Sequence, residues 1–268
     1  MSDKKAPFSK PELSVEELSH ALYEANKKLF AANHELQRQE KNRLDFYANI
    51  SHDLRAPITA ISNSIEYMLS ADNMSETELK ENLSIMQKRT LYMKRLINDI
   101  FLLSSLDSSD NKVHKESVDI RFFLEDYFYM CDADSHYSNA NLRLELSDNL
   151  NVTLMIDPEL MHRVLDNLFT NAMKYSKENV TITLGGYVED NSLIIYVEDT
   201  GIGIPKKYLS KIFDRSYMLQ KSRTPGSESS SGFGLSIVKS IIEHHNGTVC
   251  CESELGKGSR FIISLPLD

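Results

Sequence analysis

The sequence predicts an α plus α/β protein, in which a long helical hairpin with an N-terminal coiled coil precedes an α/β sandwich. Two observations lead to this fold class. Apolar residues recur at helical spacing through about the first hundred residues. From about residue 113 onwards, predicted strands and helices occur in separate blocks, which favours a sandwich over a doubly wound parallel sheet.

A coiled coil is predicted near the start of the chain. Residues 1–11 are polar and contain proline, so we expect them to be disordered. The apolar positions that follow are separated by alternating steps of three and four residues, as in a coiled-coil seam. These positions are Val15, Leu18, Leu22, Ala25, Leu29, Ala32 and Leu36. The next apolar anchor, Tyr47, lies eleven residues after Leu36, and this stutter is expected to unwind the supercoil locally. We therefore assign residues 12–45 to a coiled-coil helix.

Two amphipathic helices joined by a short turn are predicted next, over residues 46–110. The first contains Pro57, which removes one backbone donor and favours a bend. Ser75 and Glu78 fit a capping box at the start of the second. Because a hairpin with one wide apolar face cannot bury that face alone, we expect a dimeric four-helix bundle. The apolar positions of the second helix are Leu79, Leu83, Met86, Thr90, Met93, Ile97, Ile100 and Leu103.

Residues 111–268 are predicted to form the α/β sandwich. The predicted helices are Asp119–Met130, Asp157–Tyr175, a short one at Pro205–Phe213, and Leu235–His245. The predicted strands are Leu142–Leu146, Val152–Ile156, two within residues 181–199, Thr248–Ser253 and Arg260–Pro266. Gln220–Ser231 is rich in serine and glycine, so we expect a loop placed to act as a lid.

Composition narrows the classes of function. The formal net charge is −9 and no long basic block occurs, so nucleic-acid binding has no electrostatic support. The three cysteines do not make a disulfide framework, and no spacing of histidine and cysteine suggests zinc. No apolar run approaches the roughly 18 residues of a membrane span. We expect a cytoplasmic chain, which could still be the inner part of a membrane protein.

One of the eight histidines stands beside an acid on the first hairpin helix, in the stretch NISHDLRAPI. Spacing alone leaves two interpretations of His52 open: a histidine that faces the bundle core, or a reactive imidazole.

Polar residues and glycines in the second half form several further motifs. In DNLFTNAMKYS, spacings of four and three place Asn167, Asn171 and Lys174 on one helix face. That face could hold a metal ion and phosphate oxygens, or it could be an ordinary solvated surface. In VEDTGIGIP, a predicted strand ends at Asp199 before two glycines, and a plain glycine turn is the alternative. SGFGLSIVKS leads into a helix whose N-terminal amides can bind phosphate, and GKGSRF reads as a glycine turn between strands.

The order and spacing of these motifs resemble those of the sensor histidine kinases of two-component systems. The resemblance covers roughly residues 15–268. In chain order the H box, N box, first glycine box, F box and two further glycine boxes of that family are similar to NISHDLRAPI, DNLFTNAMKYS, DTGIGIP, IFDRSYM, SGFGLSIVKS and GKGSRF.

The resemblance implies that His52 takes the γ-phosphate of ATP and passes it to an aspartate of a separate response regulator, within a homodimer. A neutral imidazole is a competent nucleophile, because its unperturbed pKa is near 6.5. If Asp53 accepts the Nδ1 proton, Nε2 becomes the attacking atom and its basicity rises. Since the two residues are adjacent, we expect a bent local geometry that Pro57 helps to supply. Arg55 would neutralise phosphate charge or pair with an acid in the bundle.

The resemblance also implies an ATP-binding domain of the Bergerat (GHKL) type, shared with gyrase B, with Mg²⁺ on Asn171. This fold lacks the P-loop, and no GxxxxGK[ST] motif occurs in the chain. The residues that the resemblance assigns to ATP are Asn167, Asn171, Lys174, Tyr175, Asp199, Gly201, Gly203, Gly232, Phe233, Gly234, Leu235 and Ser259.

Three positions depart from the family pattern. Ala56 stands four residues after the histidine, where phosphatase-competent members carry a polar side chain that orients water. We therefore predict weak intrinsic phosphatase activity. Ser216 replaces an aromatic residue of the F box, and Ser230 replaces a glycine, so the dynamics of the lid are open. A non-catalytic nucleotide-binding scaffold, a pseudokinase, is the alternative function.

The remaining histidines have weaker claims to a function. His162 lies on the helix that leads to Asn167, where contact with nucleotide is one interpretation and a structural role is the other. His244 and His245 end a helix, where a partial positive charge is favourable.

Overall fold

The structure is a computed structural model that describes residues 14–71, 73–107, 113–176, 179–214 and 232–267. The chain divides into two compact units, residues 1–51 and residues 52–268, and each is described by itself. Our expectations for residues 1–11, for the loop at Gln220–Ser231, and for Ser216 and Ser230 lie outside the described residues.

Helix α1 runs from Val15 to Ser70. A reciprocal cap stabilises its start, because Ser14 Oγ accepts the N–H of Glu17 and the Glu17 carboxylate accepts the N–H of Ser14. In the first unit every residue of the predicted seam is exposed, and its valine and leucine side chains are at least 60% exposed. Such a seam needs a second helix to cover it, so the coiled coil remains a prediction that this exposure favours.

Helix α2 runs from Glu76 to Leu106, after a turn that begins at the end of α1. The predicted capping box is present. Ser75 Oγ accepts the N–H of Glu78 at 3.2 Å, and the Glu78 carboxylate accepts the N–H of Ser75 at 2.9 Å. Pro57 is buried inside α1, and the helix continues through it.

Helix α2 carries two apolar faces instead of the single one that we predicted. The buried residues, at steps of four and three, are Tyr92, Leu96, Asp99, Leu103 and Leu106. The exposed apolar residues include Leu79, Leu83, Leu91, Ile97 and Phe101. The buried face exists because α2 packs against a helix of the α/β sandwich, α5 (Gly234–His244), a contact that sequence periodicity does not reveal.

Within residues 113–176, 179–214 and 232–267, the sandwich contains two sheets and three main helices. A small antiparallel sheet pairs β1 (Glu116–Asp119) with β3 (Thr153–Ile156). The main sheet has the order β2-β4-β5-β7-β6 and comprises Asn141–Leu146, Thr181–Glu189, Ser192–Asp199, Gly258–Pro266 and Thr248–Glu254. Strands β2 and β4 are parallel, and the other neighbouring pairs are antiparallel. The remaining helices are α3 (Ile120–Ala133) and α4 (Pro158–Lys174).

The hydrophobic core lies between the main sheet and these helices. Alternate residues of β5 and β7 are buried, as the period of a half-covered strand requires. Helix α4 buries one apolar face, and α5 packs against both α4 and β6. The core residues of the sheet are Ile182, Leu184, Leu193, Ile195, Val197, Phe261, Ile263 and Leu265.

The opposite face of the sheet is closed locally by an aromatic ring. Tyr196 lies across Gly185, its cross-strand partner, where a Cβ would be 2.0 Å from the ring carbon Cζ. The Tyr196 hydroxyl donates to Glu145 at 2.9 Å, and the Arg260 guanidinium stacks 3.8 Å from the ring centre. The glycine is therefore required by packing at this position.

The short helix predicted at Pro205–Phe213 is not an α-helix. The segment Pro205–Phe213 forms a 3₁₀ turn at Lys206–Tyr208, followed by isolated hydrogen-bonded turns. Pro205 supplies no side-chain cap, and so short a segment cannot offset the cost of nucleating an α-helix. Strand β1 is an addition that we did not predict, because four residues carry too little pattern. No helix within the described ranges is long and apolar enough to cross a membrane.

Candidate functional site

His52 lies on α1 with its side chain 62% exposed, next to Asp53, whose side chain is only 17% exposed. The Nδ1 atom of His52 is 3.3 Å from the Oδ1 atom of Asp53. This contact forms within an uninterrupted helix, so the break in geometry that we expected is not required. The carboxylate holds Nδ1, and the exposed ring leaves Nε2 open to a reactant.

A tyrosine of α2 completes this environment. The side chain of Tyr92 is buried, and burial together with the negative charge of Asp53 raises the pKa of Tyr92 to about 12. The phenol therefore stays protonated at physiological pH and can donate a hydrogen bond. Sequence reasoning missed Tyr92, because nothing in its spacing connects it with a residue about 40 positions earlier on another helix.

The three residues that we predicted to lie near the phosphates share one face of α4. The helix starts at its N-cap Asp157, which accepts the N–H of Leu160, and Pro158 occupies the first turn. Asn167, Asn171 and Lys174 are each partly exposed on it. The Lys174 ammonium also lies 5.1 Å from the ring centre of Tyr175.

The side-chain nitrogen of Asn167 is buried and has no hydrogen-bond partner among the described residues. A Cβ on Gly234 would lie 3.1 Å from the Asn167 side-chain oxygen, so the glycine allows the start of α5 to approach α4 closely. A buried donor without a partner is costly in an empty fold. An anionic ligand with oxygen acceptors would satisfy it, which fits a nucleotide phosphate.

Asp199 ends β5 in a buried position, 7% exposed. Its Oδ1 atom accepts the N–H of Gly201 at 2.7 Å. Burial raises the pKa of Asp199 to about 6, although hydrogen bonds from the backbone N–H groups of Gly201 and Ser259 oppose the shift. The carboxylate is therefore ionised in most molecules at neutral pH and can accept a hydrogen bond from a ligand.

The glycines around Asp199 permit a dense junction of backbone. A Cβ on Gly201 would lie 2.6 Å from Asp199 Oδ1 and 2.7 Å from the carbonyl oxygen of Tyr175. Gly203 has a φ of +68°, and a Cβ there would lie 2.1 Å from the carbonyl oxygen of Glu254. These contacts join the end of α4, the end of β5 and the β6–β7 turn.

Two further predicted residues occupy defined places. Ser259 pairs with Asp199 across β5 and β7, and its hydroxyl lies 3.1 Å from that of Ser253. Phe233, just before α5, is only 2% exposed. Its side chain therefore packs inside the domain, and only its backbone remains for contact with a ligand.

The start of α5 contributes the other glycine motif. Gly232 has a φ of +71°, Gly234 is the first residue of α5, and Leu235 is partly exposed. The structure thus brings Asn167 together with Gly234, and Tyr175 together with Asp199, Gly201 and Ser259. His52 and Asp53 lie on α1, which is a different element from these loops.

Three histidines take structural roles. His245 is buried; its Nε2 accepts the N–H of Asp157 at 2.9 Å, and its Nδ1 contacts the carbonyl oxygen of Ile241 at 2.8 Å. Burial lowers the pKa of His245. The positive charge that we predicted at this helix end is therefore wrong for His245. His162 packs against the rings of Phe123 and Tyr127, and His244 contacts the carbonyl oxygen of Ser240.

The arrangement fits ATP with a divalent cation. Asp199 offers a buried acceptor for an amino group, the start of α5 lies beside Asn167, and Lys174 offers a cation. Amide oxygens are acceptable ligands for Mg²⁺, which favours oxygen donors, so the side chain of Asn171 is suited to holding it.

Known proteins with similar sequences support a phosphoacceptor hairpin followed by an ATP-binding domain. Residues 42–109 match the family described as the His Kinase A (phospho-acceptor) domain, HisKA. Residues 156–268 match HATPase_c, the histidine kinase-, DNA gyrase B- and HSP90-like ATPases. The sensor protein kinase WalK of Staphylococcus aureus is 35% identical over 240 residues, which cover 87% of this chain and 56% of that protein. WalK of strain Newman is equally similar, with 38% of its length covered, so the chain spans about half or less of these relatives.

Solved structures show the same fold. The histidine kinase ThkA, solved in complex with the response regulator protein TrrA, has a TM-score of 0.69 at 22% identity, covering 90% of this chain and 67% of that one. Histidine kinase AdeS of Acinetobacter baumannii has a TM-score of 0.61 at 21% identity, covering 81% and 98%. Both domain families, the kinase relatives and the fold agree, and the chain belongs to the sensor histidine kinases of two-component systems.

Proposed function

We propose that this chain is an ATP-dependent protein histidine kinase that autophosphorylates on His52 and transfers the phosphoryl group to an aspartate of a response regulator. The observation that carries the proposal is the exposed imidazole whose Nδ1 lies 3.3 Å from the Asp53 carboxylate. An imidazole held in this way presents Nε2 as the nucleophile. ATP bound by the second domain is the phosphoryl donor.

Phosphorylation consists of one displacement at phosphorus. The Nε2 lone pair attacks the γ-phosphorus of ATP, the bond to the β,γ-bridging oxygen breaks, and ADP leaves with that electron pair. The positive charge that develops on the imidazole is stabilised by Asp53, which accepts the Nδ1–H. In the second step a carboxylate oxygen of the response regulator attacks the same phosphorus. The N–P bond then breaks, and neutral His52 is restored.

We propose that the nucleotide binds at the junction around Asp199, where the end of α4, the end of β5 and the β6–β7 turn meet. The Asp199 carboxylate accepts from the adenine amino group, and Tyr175 covers the base or the sugar. Asn167 and Lys174 contact the phosphates, together with the backbone at Gly232, Gly234 and Leu235. Mg²⁺ held by Asn171 would neutralise phosphate charge, which is the main requirement of phosphoryl transfer.

We propose a homodimer for the working enzyme. Leu79, Leu83, Ile97 and Phe101 of α2 are between 40% and 70% exposed in the single chain. These are side chains that a four-helix bundle would cover, and a coiled coil with the same helix of the second copy would cover the exposed seam of α1. In this assignment residues 12–45 form the coiled coil, 46–110 the dimerisation and phosphotransfer domain, and 111–268 the ATP-binding domain.

The proposed kinase has weak intrinsic phosphatase activity. Ala56 follows His52 by one helical turn and is exposed, so it faces the region in which a hydrolytic water would have to be oriented. A methyl group offers that water no hydrogen bond.

Incubation with γ-labelled ATP and Mg²⁺ tests the proposal. We expect label on the protein that is stable to alkali and labile to acid, and that is lost in His52→Gln. An Asn171→Ala variant should lose Mg²⁺-dependent use of ATP while keeping its fold. If label persists in His52→Gln, another residue is the acceptor. If label never appears while nucleotide still binds, the chain acts as a pseudokinase scaffold.

A further inference from the structure

The hydroxyl of Ser253 makes three polar contacts at the junction around Asp199. Ser253 lies on β6 and pairs with Ser259 of β7. Its Oγ atom accepts the N–H of Ile204 at 2.7 Å. The same atom donates to the carbonyl oxygen of Gly258 at 2.7 Å and lies 3.1 Å from the Ser259 hydroxyl. One side chain therefore contacts both the β6–β7 turn and the loop that follows β5, residues 200–204.

These contacts use the full hydrogen-bonding capacity of the Ser253 hydroxyl. A serine hydroxyl carries one proton and two acceptor lone pairs. The carbonyl oxygen of Gly258 can only accept, so it takes the proton of Ser253. The N–H of Ile204 uses one lone pair. The second lone pair accepts from the Ser259 hydroxyl, which must then be the donor of the 3.1 Å contact. An alanine in place of Ser253 would leave the N–H of Ile204 without this acceptor.

The two segments that Ser253 joins are the ones that hold the carboxylate of Asp199. That carboxylate accepts the N–H of Gly201 at 2.7 Å, from the loop at residues 200–204. It also accepts the N–H of Ser259, which directly follows Gly258 in the β6–β7 turn. A Cβ on Gly258 would lie 1.9 Å from the carbonyl oxygen of Asp199, so the turn and the end of β5 are in contact. A shift of either segment would therefore move a donor away from the carboxylate.

Backbone hydrogen bonds hold the middle of the same loop. The N–H of Ile202 donates to the carbonyl oxygen of Tyr175 at 3.0 Å, and the N–H of Gly256 donates to the carbonyl oxygen of Ile202 at 2.7 Å. Ser253 holds the end of the loop, at Ile204. Because the backbone bonds do not depend on a side chain, the loop should keep its path when Ser253 loses its hydroxyl. The expected effect is a less precise position of its donors.

We propose that Ser253 is a positioning residue for nucleotide recognition. Its hydroxyl fixes residues 200–204 against the β6–β7 turn, so that Gly201 and Ser259 keep the Asp199 carboxylate in the orientation that receives the amino group of adenine. An acceptor that is already in place gains affinity, because little conformational freedom is lost on binding. This inference rests on the proposed kinase function, since that function makes ATP the ligand of Asp199.

Three variants test the role of the hydroxyl. Ser253→Ala removes it, and Ser253→Thr keeps it. Ser264→Ala is the matched control, because it removes a hydroxyl from a half-buried position of β7, five residues and therefore about 16 Å along the strand from Ser259. Hydrogen exchange is measured on a peptide that covers residues 200–209 and thus contains the N–H of Ile204.

Two nucleotides distinguish positioning from a general loss of structure. Competition against a fluorescent ATP analogue measures the affinities for ATP and for inosine triphosphate, which carries an oxygen in place of the amino group. The KM for ATP and the kcat of autophosphorylation are measured in parallel.

We expect Ser253→Ala to raise exchange in the peptide and to weaken ATP binding about fivefold, the factor that one net hydrogen bond typically contributes. Affinity for inosine triphosphate should stay as in wild type, because that nucleotide has no amino group for Asp199 to receive. The KM for ATP should rise while kcat is unchanged, as for an interaction that is lost equally from the ground state and the transition state. Ser253→Thr and Ser264→Ala should both resemble wild type.

A double variant shows whether Ser253 acts through Asp199. If it does, adding Ser253→Ala to Asp199→Asn should weaken ATP binding little further. Additive losses in the double variant, equal losses of affinity for ATP and inosine triphosphate, or unchanged ATP affinity in Ser253→Ala would each overturn the proposal. Absence of label in wild type would refute the kinase function instead, and the two affinities together with exchange would still decide the role of Ser253.

Discussion

We expect the ionised carboxylate of Asp199, which is proposed to bind nucleotide, to lower the free energy of unfolding. Its pKa is raised from 3.8 to about 6, with burial as the main cause. The difference of about 2.2 pKa units, at 1.36 kcal/mol each, corresponds to about 3 kcal/mol of destabilisation by the ionised carboxylate at neutral pH. The protein therefore keeps a buried charge that its folding does not favour.

Replacing Asp199 by asparagine removes this charge and keeps the shape. The amide oxygen can still accept the N–H of Gly201, but the amide NH₂ cannot accept a second hydrogen bond, which costs about 1 kcal/mol. The net expectation at pH 7.5 is a gain of about 2 kcal/mol, or about 4–8 °C in Tm. ATP affinity should fall about 10- to 100-fold, because a charge-assisted hydrogen bond to the adenine amino group is lost.

Thermal unfolding of both proteins without nucleotide, between pH 4 and pH 8, measures the stability difference. A raised carboxyl pKa means that the folded protein binds more protons than the unfolded chain between pH 3.8 and about 6. The advantage of Asp199→Asn should therefore be full above about pH 6 and shrink as the pH falls below 6. Below pH 3.8 it should become a disadvantage of about 1 kcal/mol, because only the cost of the lost hydrogen bond remains. Titration with a fluorescent ATP analogue measures affinity.

Glu198→Gln provides the matched control, since it removes the same charge one residue earlier from a carboxylate that is 49% exposed. That variant should change stability and affinity little. The reasoning would be refuted if Asp199→Asn were less stable than wild type at pH 7.5, or if its advantage did not depend on pH.

Three further predictions concern other parts of the chain. Because burial lowers the pKa of His245 and both ring nitrogens are engaged, the unfolded chain binds the extra proton. Stability should fall as the pH drops below 6.5, and the Tm difference from His245→Gln should shrink over the same range. Gly185→Ala should cost about 1–3 kcal/mol in chemical denaturation, because its Cβ would displace the ring of Tyr196. The cost should largely disappear in a Tyr196→Ala background, and a persistent cost would contradict this packing. Ala56→Thr should raise the rate at which the kinase removes phosphate from its phosphorylated response regulator, whereas efficient removal by wild type would contradict the proposed role of Ala56.

Much of the architecture was accessible from local pattern. The seam of α1 and the capping box at Ser75 depend on residues within a few positions of one another, and both physical causes are local. The stripe of Asn167, Asn171 and Lys174 follows from helical geometry alone. Strand boundaries in the sandwich agree within a few residues, because alternation and turn residues bracket them. The short segment after Pro205 failed because a few residues do not decide between an α-helix and a 3₁₀ turn.

The candidate site also has features that the sequence indicated and features that only the structure shows. Residue types and spacing left alternatives open for His52 and Asp199, and the resemblance to the sensor histidine kinases selected them, together with Asp53, as candidates. Neither the 3.3 Å contact on an unbroken helix nor the raised pKa of Asp199 could be derived in advance. Burial depends on residues distant in the chain, and a pKa responds to the whole surrounding volume. For the same reason His245 was assigned a favourable positive charge, although its surroundings favour the neutral ring.

The sequence by itself determined the family and the helical hairpin, and it singled out His52 as the proposed nucleophile and the glycine motifs as candidate sites. Each of these depends on short motifs whose residues lie close together along the chain. Only the tertiary structure decided which surfaces of segments distant in sequence pack against each other. It gave α2 a second apolar face, placed Tyr92 near Asp53, and joined Asp99 to Arg163 across 64 positions of sequence. Such contacts arise when separate amphipathic surfaces find one mutual packing, and no periodicity within either surface specifies its partner.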